Sequence, residues 1–114
     1  MVKLESLKKS NQFKQALKEK KAHSDYFSIF AAKNFYKPKY KNNLLISFIM
    51  KKKIGNAVKR NKIKRRLKNI TNEAVKKILL KFNYSYLVIA KPTMLNNEYT
   101  IIKETLFKDL ERIH

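Results

Sequence analysis

Cysteine and tryptophan are absent from this chain of 114 residues, glycine occurs once and proline twice. Without cysteine the chain has no disulfide, no cysteine-based zinc site and no thiol nucleophile, which fits a reducing compartment. A single glycine, Gly55, excludes a glycine-rich phosphate-binding loop. Functions that depend on cysteine chemistry or on a glycine-rich phosphate-binding loop are therefore excluded.

Acidic residues are also scarce, with eight Asp and Glu against 28 Lys and Arg, which gives a net charge of +20. The acids form no spaced pair with ligand-like neighbours, and His23 and His114 lie far apart in the sequence. We expect Glu73, Asp109 and Glu111 to be helix-surface residues, and we expect no catalytic residue, metal site or cofactor on the protein itself. The charge favours nucleic acid or another polyanion as partner.

Long apolar runs are missing as well. The longest, Leu44 to Met50, is interrupted by Ser47 and is too short to span a bilayer. Residues 1–5 lack the apolar region of a signal peptide, so we expect a soluble, cytoplasmic protein. A hydrophobic content of 44% is sufficient for a folded core. The chain 1–114 is therefore predicted to form a single domain, and its charge favours a nucleic-acid-binding one.

Apolar periodicity predicts helices and strands arranged around one sheet. Strand alternation places Phe27 and Ile29 on one face, and Ser28 and Phe30 on the other. The segment 44–90 indicates two parallel strands joined by a helix, with a right-handed crossover as the default. The predicted elements are a helix from Ser10 to about Lys21, an extended piece at 22–24, strands at 25–32, 44–50 and 86–90, a loop at 34–43, and helices at 56–79 and 97–113.

The middle of the chain is densely basic: ten of the eighteen residues from Lys51 to Lys68 are Lys or Arg, and none is acidic. Asn56 is a plausible N-cap for the helix that begins there. The apolar positions at helical spacing, which predict one buried stripe, are Ile63, Leu67, Ile70, Ala74 and Ile78.

The helical wheel separates the basic side chains of this helix by direction. The side chains predicted to face solvent are Asn61, Arg65, Lys68 and Asn72. Arg60 and Lys64 lie on one flank of the stripe, where they can reach over the sheet, and Lys62 and Arg66 lie on the other. A helix face that contacts only solvent normally carries acidic residues interleaved with basic ones. Because these cations repel one another without acidic neighbours in the sequence, we expect a polyanion to neutralise them, assisted near Gly55 and Asn56 by the positive end of the helix.

Aromatic residues suggest a second contact surface. A groove between the first helix and the sheet is predicted to be lined by Phe13 of that helix and by Tyr26 and Phe30 of the first long strand. Unpaired bases stack on such rings with about 1–3 kcal/mol each. Ordinary core packing is the alternative for each ring.

The run from Lys52 to Leu67 resembles the signature of the bacterial ribonuclease P protein family. That signature is a Lys-Lys-x-Gly-x-Ala-Val element followed by the RNR segment, and it corresponds here to the element Lys52–Val58 and to Arg60-Asn61-Lys62. The resemblance extends over nearly the whole chain. The second Arg of the RNR segment is Lys62 here, which lacks the planar bidentate phosphate contact of Arg. An N-terminal helix position that is aromatic in some relatives is Leu17.

This resemblance implies an α+β fold, a two-layer sandwich similar to ribosomal protein S5 domain 2. The implied order is αβββαβα, with a left-handed βαβ crossover against the default. It also implies a protein subunit in 1:1 complex with a catalytic RNA, ribonuclease P RNA. The particle hydrolyses precursor tRNA to remove the 5′ leader; the RNA holds the required Mg²⁺, and the protein alone is inactive.

Two groups of residues are assigned by the resemblance. The positions that fall in the RNA-facing segment are Lys52, Lys53, Asn56, Arg60, Asn61, Lys62, Lys64, Arg65, Arg66 and Lys68. The positions that fall in the cleft for the single-stranded leader are Phe13, Leu17, Tyr26, Ser28 and Phe30.

Three other functions stay open at this point. A ribosomal or other structural RNA-binding protein would use the same basic helix without a leader cleft. A stand-alone nuclease is disfavoured by the missing acid clusters. A nonspecific DNA-binding protein is possible on charge alone and would show no preference for the catalytic RNA over duplex DNA at raised salt.

Overall fold

The computed structural model describes residues 4–5, 20–33, 44–77, 84–96 and 98–113. It contains five strands, two α-helices and two short 3-10 helices within these ranges. In chain order they are β1 (Leu4–Glu5), β2 (Lys20–His23), β3 (Phe27–Lys33), β4 (Leu44–Met50), a 3-10 helix (Lys52–Ile54), α1 (Ala57–Lys77), β5 (Tyr84–Ala90), a 3-10 helix (Pro92–Asn96) and α2 (Tyr99–Arg112).

The five strands form one mixed sheet in the order β1-β4-β5-β3-β2. β4 and β5 are parallel and are joined by α1, as predicted. β3 pairs antiparallel with both β5 and β2, whereas β1 runs parallel to β4. The α+β architecture is therefore confirmed, and the hand of the β4–α1–β5 crossover stays a prediction.

Two strands extend beyond their predicted limits because a neighbouring strand continues alongside them and supplies pairing partners. Lys20 and Lys21, expected at the end of a helix, belong to β2 and lie opposite Ala31 and Phe30. Tyr84, expected to interrupt the pattern, begins β5 opposite Lys33. The body of the predicted N-terminal helix, the predicted loop at 34–43 and Ile78 lie outside the described residues.

One face of the sheet carries the hydrophobic core. Phe27 and Ile29 of β3 are fully buried there, as the alternation predicted. The side chains that the helices contribute to the same cluster are Ile63, Leu67, Ile70 and Ala74 from α1, and Ile102, Leu106 and Leu110 from α2. Burying an aliphatic side chain contributes roughly 1.5–3 kcal/mol. This packing fixes both helices on the same side of the sheet.

The opposite face of the sheet, which we call the outer face, changes in exposure along the strands. Ala32 and Leu87 are buried on it. Ser28, Phe30 and Ile89 are half-exposed, and register places Ser28 beside Ile89 and Phe30 beside Leu87. The accessible part of the outer face is therefore the end of the sheet around Ser28 and Phe30.

Asp109 of α2 is buried, with 3% of its surface exposed, so its predicted position on the helix surface is wrong. It lies beside Leu110 at the edge of the apolar stripe of α2, which packs against the core. Its Oδ1 accepts a hydrogen bond of 2.7 Å from Arg112 Nη2, and its Oδ2 has no partner in the described part of the chain. Burial raises the pKa of Asp109, and the nearby charges of Arg112 and His23 oppose that rise.

We expect Asp109→Asn to stabilise the protein at neutral pH. An Asp whose folded pKa is raised ionises first in the unfolded state, so stability falls as pH rises from the ordinary value near 3.8 towards the folded pKa. Asparagine does not ionise, and its Oδ1 still accepts from Arg112. The difference in unfolding free energy between variant and wild type, measured by urea titration from pH 3 to 8, should grow with pH and then level off. A constant difference would contradict this expectation.

Candidate RNA interface

The basic helix α1 begins at a turn that Gly55 and Asn56 build. Gly55 has φ 143° and ψ −161°, a backbone conformation that only glycine adopts readily, and a Cβ there would lie 2.7 Å from Lys59 Cδ. Asn56 Oδ1 accepts a hydrogen bond of 3.1 Å from the Lys59 backbone N–H. The predicted N-cap is therefore confirmed, and it fixes where α1 starts.

Most of the predicted RNA-facing residues project from this turn and from α1 into solvent. Those that are exposed are Lys52, Lys53, Asn56, Asn61, Lys62, Lys64, Arg65 and Lys68. The ion pairs of the described residues are Glu73–Lys103 and Asp109–Arg112, so none of the exposed cations is paired there. The structure confirms the direction that the helical wheel gave to Asn61, Arg65 and Lys68. Within the described residues, this leaves a row of positive charge along α1 without acidic partners.

Arg60 and Lys64 line a cavity of about 300 Å³ between the first turns of α1 and the end of β4. Met50, Ala57 and Asn61 complete its lining. Arg60 Nε is buried and has no hydrogen-bond partner in the described part of the chain. An unsatisfied buried donor costs about 1–3 kcal/mol. An anionic oxygen that enters this cavity would contact the cationic side chains of Arg60 and Lys64. It could also accept a hydrogen bond from Arg60.

Arg66 differs from the other basic residues of α1 because it also contacts the protein. Its Nη1 donates a hydrogen bond of 3.5 Å to the backbone carbonyl of Met94, in the second 3-10 helix, and Arg66 is half-buried. Arg66 therefore helps to hold α1 against the segment after β5. Its guanidinium has further N–H donors beyond this bond.

The one acidic residue of α1, Glu73, does not compensate the basic row. Its Oε2 lies 2.5 Å from Lys103 Nζ of α2. The hydrogen bond from Lys103 lowers the pKa of Glu73, and the same contact raises the pKa of Lys103. Glu73 thus joins the two helices beyond Lys68, the last residue of the basic row.

Three predicted cleft residues lie at the start of β3 or just before it. Ser28 and Phe30 are half-exposed on the outer face, as the alternation predicted. Tyr26 lies in the bend before β3 and packs partly against the core. Its backbone carbonyl accepts a hydrogen bond of 2.8 Å from Lys91 N–H, which ties the bend to the end of β5. Phe13 and Leu17 lie outside the described residues.

His23 also belongs to this surface, although no pattern in the sequence predicts that position. It faces Ser28 in the β2–β3 register, and its Nδ1 shares a hydrogen bond of 2.8 Å with Ser28 Oγ. Its ring stands edge-on to Phe30, with centroids 5.9 Å apart and an interplanar angle of 83°. This contact depends on the register of the β2–β3 hairpin. Predicting that register from the sequence requires knowledge of the turn between the two strands.

The described ranges contain no group of three or more His, Cys, Asp or Glu side chains that could hold a metal ion. No described helix is long and apolar enough to cross a membrane. What the arrangement offers is phosphate neutralisation along α1 and a partly aromatic surface on the outer face. Together, the mixed sheet and its unpaired basic helix define an α+β protein of the RNA-binding class.

Comparison with known proteins identifies the family within that class. A sequence model of the family Ribonuclease P matches residues 1–114. The ribonuclease P protein component of Mesoplasma florum is 32% identical over 94 residues, which are 82% of this chain and 80% of that protein. The corresponding protein of Nitratiruptor sp. is 32% identical over 111 residues, which are 96% and 93% of the two chains.

Solved structures agree with the fold. The RNase P protein from Thermotoga maritima has a TM-score of 0.77 at 23% identity, covering 96% of this chain and 98% of that one. Staphylococcus aureus RNase P protein has a TM-score of 0.74 at 24% identity, covering 93% and 92%. The chain belongs to the ribonuclease P protein family, and its role is that of a tRNA-processing subunit. The resemblance seen in Lys52–Leu67 is thereby confirmed.

We expect Arg65→Ala to weaken binding to ribonuclease P RNA and to reduce the salt dependence by about one phosphate contact. Arg65 is exposed on α1 and has no ion pair with a described residue. Lys108→Ala removes one charge from an exposed position of α2 and serves as the control. Affinity is measured by filter binding at several salt concentrations. Equal losses in both variants would show that net charge, not the position of Arg65, determines binding.

Proposed function

We propose that this chain is the protein subunit of a ribonuclease P ribonucleoprotein, binding the catalytic RNA through α1 and the 5′ leader of precursor tRNA on the outer face. The particle removes the leader by hydrolysis to give the mature tRNA 5′ end. The observation that carries the proposal is the row of exposed cations, none ion-paired with a described residue, on a helix whose other side is buried in the core.

The basic row binds RNA through its phosphates. Contacts of Lys and Arg to phosphate oxygens position a protein on RNA without reading its sequence. Arg65 and Lys68 project directly into solvent, and Arg60 and Lys64 flank the cavity beside β4. The rigid helix presents these groups at fixed spacing, so a folded RNA surface can meet several of them at once. Lys62 supplies a point charge where relatives have an arginine.

The outer face accepts single-stranded RNA by stacking. Phe30 is half-exposed beside Ser28, so part of its ring is available to a base. Stacking tolerates any base, because each has a π-face, and a leader that differs between tRNAs requires such tolerance. Tyr26 flanks this surface, with part of its ring in the core. Phe13 and Leu17 are proposed to contribute from the N-terminal segment.

Catalysis is assigned to the RNA subunit. Two of the described acids, Glu73 and Asp109, are engaged in ion pairs with Lys103 and Arg112. The Mg²⁺ ions for phosphodiester hydrolysis are accordingly proposed to be held by the RNA, with the protein inactive alone. A monomeric protein in a 1:1 complex is proposed, and a cytoplasmic location follows from the proposed substrate.

The first test is cleavage of precursor tRNA by a bacterial ribonuclease P RNA at low Mg²⁺, with and without this protein. Since the protein lowers repulsion between two RNAs, we expect it to restore correct leader removal at Mg²⁺ concentrations where the RNA alone is inactive. A Mg²⁺ dependence that is unchanged by the protein would contradict the proposal. Cleavage by the protein without RNA would overturn the assignment of catalysis to the RNA.

A second test separates leader binding from general RNA binding. Phe30→Ala should weaken binding of the holoenzyme to precursor tRNA by about fivefold or more, with mature tRNA little affected, because only the precursor has bases to stack. Phe107→Ala removes a half-buried ring from α2 and is the matched control. Equal losses for both tRNAs would favour a structural RNA-binding protein without a leader cleft.

A further inference from the structure

The edge strand β2 places polar groups beside the proposed leader surface. In the β2–β3 register, Lys21 lies opposite Phe30 and His23 lies opposite Ser28. Directly opposed residues of an antiparallel pair project from the same face. Lys21 and His23 are both exposed. The half-exposed ring of Phe30 is therefore bordered on its β2 side by a lysine and a histidine, side chains of a type able to bind phosphate.

His23 is held in one orientation by β3. Its Nδ1 is engaged with Ser28 Oγ at 2.8 Å, and its ring is nearly perpendicular to the ring of Phe30. With Nδ1 occupied, Nε2 on the far side of the ring remains for a ligand, since the described residues offer it no hydrogen-bond partner. A base that lies flat against one ring of this pair has the edge of the other ring beside it. The pair thus forms a corner with a stacking surface and a polar edge.

We propose that His23 is a leader-contact residue, which hydrogen-bonds through Nε2 to the nucleotide that stacks at Phe30 or to its phosphate. This inference rests on the proposed leader site and adds a residue to it. Ser28 then acts as the positioning residue, since its hydroxyl orients the imidazole.

The experiment measures the ratio of affinities for precursor and mature tRNA, using holoenzyme assembled with a bacterial ribonuclease P RNA. This ratio isolates the leader, because both tRNAs share every other contact. It is measured for wild type, His23→Asn and His114→Asn. Asparagine at 23 keeps a short polar group for Ser28 but has neither the imidazole ring nor its Nε2. His114 is the only other histidine and provides the matched control.

For wild type and His114→Asn we expect equal ratios, well above one. His23→Asn should lower the ratio by about threefold to tenfold, the range of one hydrogen bond. A ratio in His23→Asn that matches wild type would overturn the inference while leaving the leader site intact. A wild-type ratio near one would instead overturn the leader site itself.

A double-mutant cycle tests the positioning role of Ser28. Ser28→Ala should reduce the precursor-to-mature affinity ratio. The same substitution should have little further effect in the His23→Asn background, because Ser28 acts by orienting the imidazole of His23. Urea unfolding of each variant verifies that the fold is retained. Additive losses would contradict the positioning role and would assign Ser28 its own contact with the leader.

Discussion

Like-charge repulsion along α1 is the constraint on which the rest of the structure depends. Each i,i+4 pair of like charges on a helix costs about 0.2–0.5 kcal/mol. The opposite side of α1 buries Ile63, Leu67 and Ile70 completely, and each contributes roughly 1.5–3 kcal/mol. Burial therefore outweighs the repulsion, and the helix forms before any partner arrives. The glycine turn and the Asn56 cap set its start, so the cations have fixed positions when RNA binds.

The sheet separates packing from binding by the alternation of its strands. Phe27 and Ile29 are committed to the core, which holds both helices on one side. Ser28 and Phe30, the residues between and after them, are left half-exposed on the outer face. Because every second side chain changes face, the strand that anchors the core also supplies the proposed leader surface. Substitutions on the two faces should accordingly affect stability and RNA binding differently.

Much of the proposed site was predictable because it depends on local patterns. The direction of Arg65 and Lys68 follows from the helical period, and the exposure of Phe30 follows from the strand period. His23 was not predictable, because its contact with Ser28 depends on the register between two strands. Asp109 was misjudged as a surface residue, because its burial depends on how α2 lies against the core. Both cases involve contacts between elements, which periodicity does not determine.

The amino-acid sequence by itself determined the charge, the family, the basic helix with its cap and the two faces of β3. These follow from composition and from spacing within single elements, where neighbours along the chain are neighbours in space. The tertiary structure alone decided that Arg60 and Lys64 border a cavity with Met50, that Glu73 pairs with Lys103, and that His23 stands beside Phe30. Each of these joins residues of different elements. Their proximity arises only when burial of the shared core fixes how those elements pack.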